Sequence, residues 1–305
     1  MSQPQLLTAT RILERTMPAT VRRMLLYGAI ALAYLSSILL GAGTFYGLAS
    51  FAKNPGIWGQ LGATLGLVAC FYVVRKGRPI LFYRVDLVHL AAMVKRLTGQ
   101  DLPSGKEQLE QLDLFISRCF SSATESLACY RKIQQFAVEV GASLSPLSHL
   151  RALPKPLAWW LQTGLATVLS GKSHAEALLA LAVRGEDVGD LRHGAAVLCQ
   201  HYRQVFQHSL IASAFVYGLA LFAFWLFFKP VAWVDDALPS DFGFWQYVFA
   251  LILTYWIKAA FLDPIATAAL TIKLLQLEEQ TAPSEELVQE WSLRLPSLAQ
   301  LTCAV

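Results

Sequence analysis

Lys258, Asp263 and Pro264 are the residues best placed by type and spacing to do chemistry, because all three interrupt one long apolar run, Phe244–Lys273. An ionisable side chain at membrane depth is costly, so it is paired or faces protein or water. A lysine and an aspartate there suit an ion or proton relay, or the lining of a hydrated pore. Two structural readings compete: Lys258 snorkels to the headgroups, or each charge pairs with another helix. Five residues subtend about 140° on a regular helix, so Lys258 and Asp263 share a face only if the helix is distorted. Pro264 supplies a reason for distortion. It has no N–H, and it leaves the carbonyl four residues back, that of Ala260, without its helical donor.

Other chemistry finds less support. The six histidines are His89, His149, His174, His193, His201 and His208. They form no His-Glu-x-x-His pair, and metal ligation needs several converging ligands, so no metal is expected. The five cysteines, Cys70, Cys119, Cys129, Cys199 and Cys303, contain no Cys-x-x-Cys. They are expected as reduced, buried thiols. No Walker sequence, Gly-x-Ser-x-Gly elbow or basic–aromatic alternation occurs, so the reading has no enzyme, no cofactor and no nucleic-acid partner.

The elements that hold these residues are set by composition. Of 305 residues, 55% are hydrophobic and 15% are charged, where an ordinary soluble domain carries about 25% charge. Met24–Ala52, Ile57–Val74 and Ser209–Phe228 are long and apolar enough to span a bilayer, and Phe244–Ile272 is the interrupted fourth. The fold class expected is all-α: a polytopic membrane protein with about four transmembrane helices in two hairpins and a helical cytoplasmic insert. The segments are 1–23, a cytoplasmic lead; 24–74, the first hairpin; 75–207, the insert; 208–272, the second hairpin; and 273–305, a cytoplasmic tail.

Orientation follows the basic residues. Arg11, Arg15, Arg22 and Arg23 precede the first span, and Arg75, Lys76, Arg78 and Arg84 follow the second. The two short loops carry only Lys53 and Lys229. The positive-inside rule then places both termini and the insert in the cytoplasm, in an inner membrane.

Within the insert, Pro79–Leu97 reads as a helix lying on the membrane, and Ser104 with Glu107 as a capping box. A long helix over 106–140 and a break over 141–156 follow. The 13-residue apolar run 157–169 is too short to span, so it is buried, interfacial or re-entrant. Helices over 173–183 and 190–207 flank a turn at 185–189. Residues 6–13 read as an amphipathic lead on the inner leaflet.

Gly41, Gly43 and Gly47 in the first span and Gly59, Gly62 and Gly66 in the second recur at near-helical spacing. Small residues let membrane helices approach closely, so these six are expected to pack the hairpin together, with an oligomer seam or a glycine-lined pore as alternatives.

Gly171-Lys-Ser-His-Ala-Glu-Ala-Leu178, Gly185-Glu-Asp-Val-Gly189-Asp-Leu191 and Cys199-Gln-His-Tyr-Arg203 precede a span. This series resembles the cytoplasmic domain of secretion-system F and pilus-assembly platform proteins. Gly43-Thr-Phe-Tyr-Gly47, Gly62-Ala-Thr-Leu-Gly66, His89-Leu-Ala and Lys258-Ala-Ala-Phe-Leu-Asp263-Pro264 together look like a set of bacterial multi-pass inner-membrane proteins with no assigned activity. The second resemblance implies a bacterial inner-membrane protein and assigns no functional residues. The function expected from the chain as a whole is that of a non-enzymatic, homo-oligomeric component of the bilayer, a channel or an assembly platform, with 75–207 as the place for a cytoplasmic protein partner. The alternative is a transporter with its site at Lys258 and Asp263.

Overall fold

The computed structural model describes residues 5–144, 172–184, 191–236, 243–281 and 285–301. Every regular element among them is helical: α1 (Leu6–Arg15), α2 (Met17–Leu48), α3 (Pro55–Leu81), a π-turn (Phe82–Asp86), α4 (Leu87–Leu97), α5 (Lys106–Cys119), α6 (Ala123–Leu144), α7 (Lys172–Ala182), α8 (Leu191–Gln200), α9 (Tyr202–Asp236), α10 (Trp245–Ile257), a second π-turn (Lys258–Leu262), α11 (Asp263–Gln280), α12 (Glu285–Arg294) and α13 (Pro296–Ala299). Four uninterrupted helical runs, Met17–Leu48, Pro55–Leu97, Tyr202–Asp236 and Trp245–Gln280, are long and apolar enough to cross a membrane. The expected run at 157–169, the turn at 185–189, His149 and Cys303 lie outside the described residues.

The chain folds into two compact units. The first contains residues 1–20, 82–217 and 263–305, and the second contains 21–81 and 218–262. The boundaries at 81/82, 217/218 and 262/263 fall inside helices, not at the 74/75, 207/208 and 272/273 divisions that hydropathy suggests. The chain passes from the second unit to the first within Pro55–Leu97 and Trp245–Gln280, and both passages coincide with π-turns.

The first unit has an extensive apolar core. The middle of α6 supplies Leu127, Tyr130, Ile133, Phe136, Ala137 and Val140, spaced three and four apart on one buried face. Residues Leu87–Val94 of α4 are all buried. This corrects the membrane-surface assignment of 79–97. A helix that is apolar all round belongs inside a core, and the two basic residues Lys95 and Arg96 come only in its last turn. The lead and the tail also join this core, through Ala9, Ile12 and Leu13 at one end and Val288, Leu295, Leu298 and Leu301 at the other. Of the expected leaflet-facing side chains, Leu7 is exposed while Ile12 and Leu13 are buried in protein.

Three local expectations are corrected. The helix over 106–140 is two helices, broken at extended Phe120 (φ −139°, ψ 126°). Ser122 restarts it: its Oγ accepts from the Glu125 N–H (3.2 Å), while a Glu125 carboxylate oxygen accepts from the Ser121 N–H (2.9 Å). This is a capping box displaced by one residue. The box expected at Ser104 and Glu107 does not form; α5 starts after Gly105 at φ 71°, with no side-chain cap. The break expected to begin at Gly141 is absent there, since α6 runs through this buried glycine to Leu144.

In the second unit, α2 and α3 meet along a narrower seam than the six glycines suggest. A Cβ placed on Gly41, Gly62 or Gly66 would come within 3.0 Å of facing backbone, the carbonyls of Gly62, Gly41 and Ser37 respectively. The Ser37 hydroxyl donates to the Gly66 carbonyl (2.8 Å). Ser37 and Gly41 on one helix, and Gly62 and Gly66 on the other, are each four apart, so one small face meets another. Gly59 has ordinary contact distances to Tyr46, and Gly43 and Gly47 have nothing within 4 Å. These two glycines fall off the seam because their angular positions on α2 differ from that of Gly41 by about 200° and 240°.

Cys70, Cys119 and Cys199 are buried and form no disulfide. Cys129 is disulfide-bonded, against the expectation that all five thiols are reduced.

Candidate functional site

Asp263 is the pivot of the polar cluster in the first unit. It is the first residue of α11, directly after the π-turn in the continuous Trp245–Gln280 run. Its Oδ2 accepts from Lys172 Nζ at 2.9 Å. Lys172 is the first described residue of α7. Its Nζ is also 3.8 Å from Glu176, one turn on. The other Glu176 oxygen accepts a hydrogen bond from the hydroxyl of Thr267. Thr271 then donates back to the Thr267 carbonyl (2.8 Å). Asp263, Thr267 and Thr271 thus form a polar stripe at i, i+4 and i+8 on α11, facing Lys172 and Glu176 at i and i+4 on α7.

Two carboxylates, one ammonium and two hydroxyls make up this constellation. The Asp263 and Glu176 side chains retain 13% and 12% exposure, while Lys172 retains 43%. The lysine head therefore bridges the buried acids and the surface. A second ion pair marks the other end of the same two helices, where the Arg184 guanidinium forks onto both oxygens of Glu278. Matching Lys172 with Asp263, Glu176 with Thr267 and Arg184 with Glu278 fixes α7 and α11 as parallel neighbours in register. Bidentate geometry makes the second pair orientation-specific.

The following segment is tied to α8 and the start of α9. A His201 ring nitrogen is 2.9 Å from the Thr281 hydroxyl, and His193 is 3.7 Å from Glu285. Burial holds the His201 pKa below the usual imidazole value, and the charge of Lys273 lowers it further. Burial also pushes the Cys199 thiol up to about 12, with Glu139 adding to the rise. Such a thiol is chemically quiet at neutral pH.

Lys258 lies in the second unit, half-buried at the start of the second π-turn. The structure therefore assigns Lys258 and Asp263 to different units. Pro264 is the second residue of α11, and the adjustment it demands is made before it, in the π-turn. That changes which carbonyl the proline nitrogen stands opposite. In α-register the Pro264 nitrogen stands opposite the Ala260 carbonyl, whereas by the i→i+5 count of a π-turn it stands opposite Ala259. Arg23, only 3% exposed, donates from Nε to the Ala259 carbonyl at 2.8 Å. Its guanidinium also lies 5.4 Å from the Tyr27 ring centre. One turn earlier, Trp256 donates its indole N–H to the Met24 carbonyl (3.0 Å), against Gly28.

Lys172, Glu176, Thr267 and Arg23 are the residues that sequence reasoning missed at these places. Glu176 and Lys172 stand at the i, i+4 spacing of a helical ion pair, and that signal was present. Their connection to Asp263 spans 91 residues, and no local pattern encodes it. Among the described residues, no group of three histidine, cysteine or acidic side chains is arranged to hold a metal ion.

No family model, curated protein or solved structure matches this chain.

Proposed function

We propose that this chain is a non-enzymatic membrane component that oligomerises and serves as an assembly platform, its first unit being the docking body for a protein partner. The observation that carries this reading is the Lys172–Asp263 ion pair. It engages the acidic half of the suspected transport site inside the helical unit, on a neighbouring helix. The apolar stretches 24–52, 57–74, 209–228 and 244–257 contain no Asp, Glu, Lys or Arg, so they offer no charged lining for an ion path. What they offer is a close small-residue seam and broad apolar surface, which suits a scaffold held in lipid. The resemblance of 171–203 to platform proteins supports the same class.

Both termini and the first unit are assigned to the cytoplasmic side of an inner membrane, because eight arginines and lysines cluster at that end of the first two spans. One observation favours the opposite orientation: a disulfide at Cys129 belongs to an oxidising compartment. Impermeant thiol labelling of intact cells separates the two, using cysteines placed singly at Ser104 and Asp236. Labelling at Asp236 alone supports the cytoplasmic assignment, and labelling at Ser104 alone reverses it.

The functional reading is tested by mass measurement of the protein in detergent and nanodiscs, together with ion and solute flux in proteoliposomes. Discrete oligomers without flux are expected. A monomer whose flux disappears in Asp263→Asn at normal abundance would replace the platform with the transporter. Oligomers with Asp263-independent flux would indicate the channel.

A further inference from the structure

We propose that Arg23 is a register lock, donating to the Ala259 carbonyl, which by the i→i+5 count of the π-turn at Lys258–Leu262 stands opposite Pro264 and its missing N–H. Three observations meet at this point. Residues 258–262 adopt i→i+5 bonding, and by that count the nitrogen of Pro264, which has no N–H, stands opposite the Ala259 carbonyl. The Arg23 Nε–H is aimed at that same Ala259 carbonyl at 2.8 Å, across 236 residues of sequence. And Arg23 is one of the most buried charged residues described, at 3% exposure, although arginines at span ends ordinarily reach toward water.

The chemistry explains the choice of residue. A carbonyl without a donor in apolar surroundings is costly, and no water-filled surface is needed if a side chain supplies the N–H. A guanidinium presents several donors on one rigid fork, so Nε can serve Ala259 while the face of the group lies near Tyr27. The Trp256–Met24 hydrogen bond and the contact of Gly28 with the Trp256 ring hold the start of α2 beside this turn. Arg23 is thereby set at the right height on its helix. The lock fixes which residue of the Trp245–Gln280 run begins the α-helix that carries Asp263, Thr267 and Thr271.

The proposal makes the need for Arg23 conditional on the proline. Replacing Pro264 by alanine restores a backbone N–H, which serves the carbonyl opposite it in either register. Thermal unfolding of the full chain in nanodiscs should therefore be measured for Arg23→Met and Arg23→Lys, each with Pro264 present and with Pro264→Ala. With Pro264 present, Arg23→Met should lower the melting temperature on the order of 5 °C, from the loss of one charge-assisted hydrogen bond, and Arg23→Lys should lose less. In the Pro264→Ala background, the Arg23→Met loss should fall to less than half. If Arg23→Met alone yields no folded protein, the double variant should recover folded yield. Equal losses in both backgrounds, no loss from Arg23→Met, or failure of Pro264→Ala to restore yield would each overturn the lock.

Discussion

Gly62→Ala is the most direct test of the α2–α3 seam, because the structure sets both its cost and its controls. The added Cβ would lie 2.8 Å from the Gly41 carbonyl carbon and 2.7 Å from Phe45 Cβ, where ordinary contact begins at 3.4 Å. The Gly41 carbonyl oxygen lies closer still, so the helices must separate locally by at least about 0.6–0.7 Å, because that closest neighbour is a backbone atom that cannot rotate away. A radial gap of that size forfeits roughly a quarter to a half of each dispersion contact along the seam. Overpacking of this kind costs about 1–3 kcal/mol, and the backbone identity of the neighbour places Gly62→Ala near the top of that range. Alanine also gains about 0.5–1 kcal/mol over glycine inside a helix, so the net expected loss is about 2 kcal/mol. At Gly43 and Gly47 only the gain applies, since nothing lies within 4 Å. Equilibrium unfolding in mixed micelles should then rank Gly43→Ala and Gly47→Ala at or above the parent, and Gly62→Ala, Gly41→Ala and Gly66→Ala below it. Gly62→Ala as stable as Gly43→Ala would refute the close approach and the reasoning built on it.

Three further outcomes are expected. Lys172→Met should destabilise the first unit more than Asp263→Asn does, by about 1–2 kcal/mol after allowing for the half-exposed lysine, because it leaves two carboxylates facing each other; the reverse order in thermal melts would contradict the geometry. The His201 pKa is lower in the folded state than in the unfolded chain, so the unfolded state binds the extra proton. Stability from this group is therefore full above the unfolded value and falls as pH drops below about 6.5; His201→Gln should flatten that part of the stability–pH curve, and an unchanged slope would assign it to another group. Cys199, with its thiol pKa raised to about 12, should resist maleimide at pH 8 in the folded protein and react on unfolding, as followed by intact mass.

Much of the architecture could be read from pattern alone. Four long apolar runs and the absence of strand alternation gave an all-helical chain with four candidate spans, since length and hydropathy are local quantities. What escaped was whatever depends on partners distant in sequence. Leu87–Val94 looked like a surface helix because it carries Lys95 and Arg96 at its end, yet its flanks are covered by segments that the sequence cannot place beside it. The Phe120 break was legible in principle: Ser122 and Glu125 stand at capping-box spacing, but an unbroken apolar stripe outweighs so short a signal. For the candidate site, Asp263 and Pro264 were identified by their cost in an apolar run, a physical anomaly visible in one dimension. Their relief, by Lys172 on α7 and by Arg23 on α2, is a property of three dimensions. The six glycines divide the same way, because spacing marks small residues and only the facing helix decides which of them are needed.

The first unit is assembled from residues 1–20, 82–217 and 263–305, so its core closes only when its last contributors have been synthesised. Ala9 and Ile12 leave the ribosome before any of the spans, yet they share a core with Ile272, Leu274 and Leu298. During translation α1 must wait, its apolar face uncovered, while all four candidate spans are delivered, and α4 must wait for the last two. A nascent chain halted after α10 would therefore expose apolar surface that the finished protein hides. Chaperones and proteases that recognise exposed apolar surface would then meet a halted chain as an unfolded one.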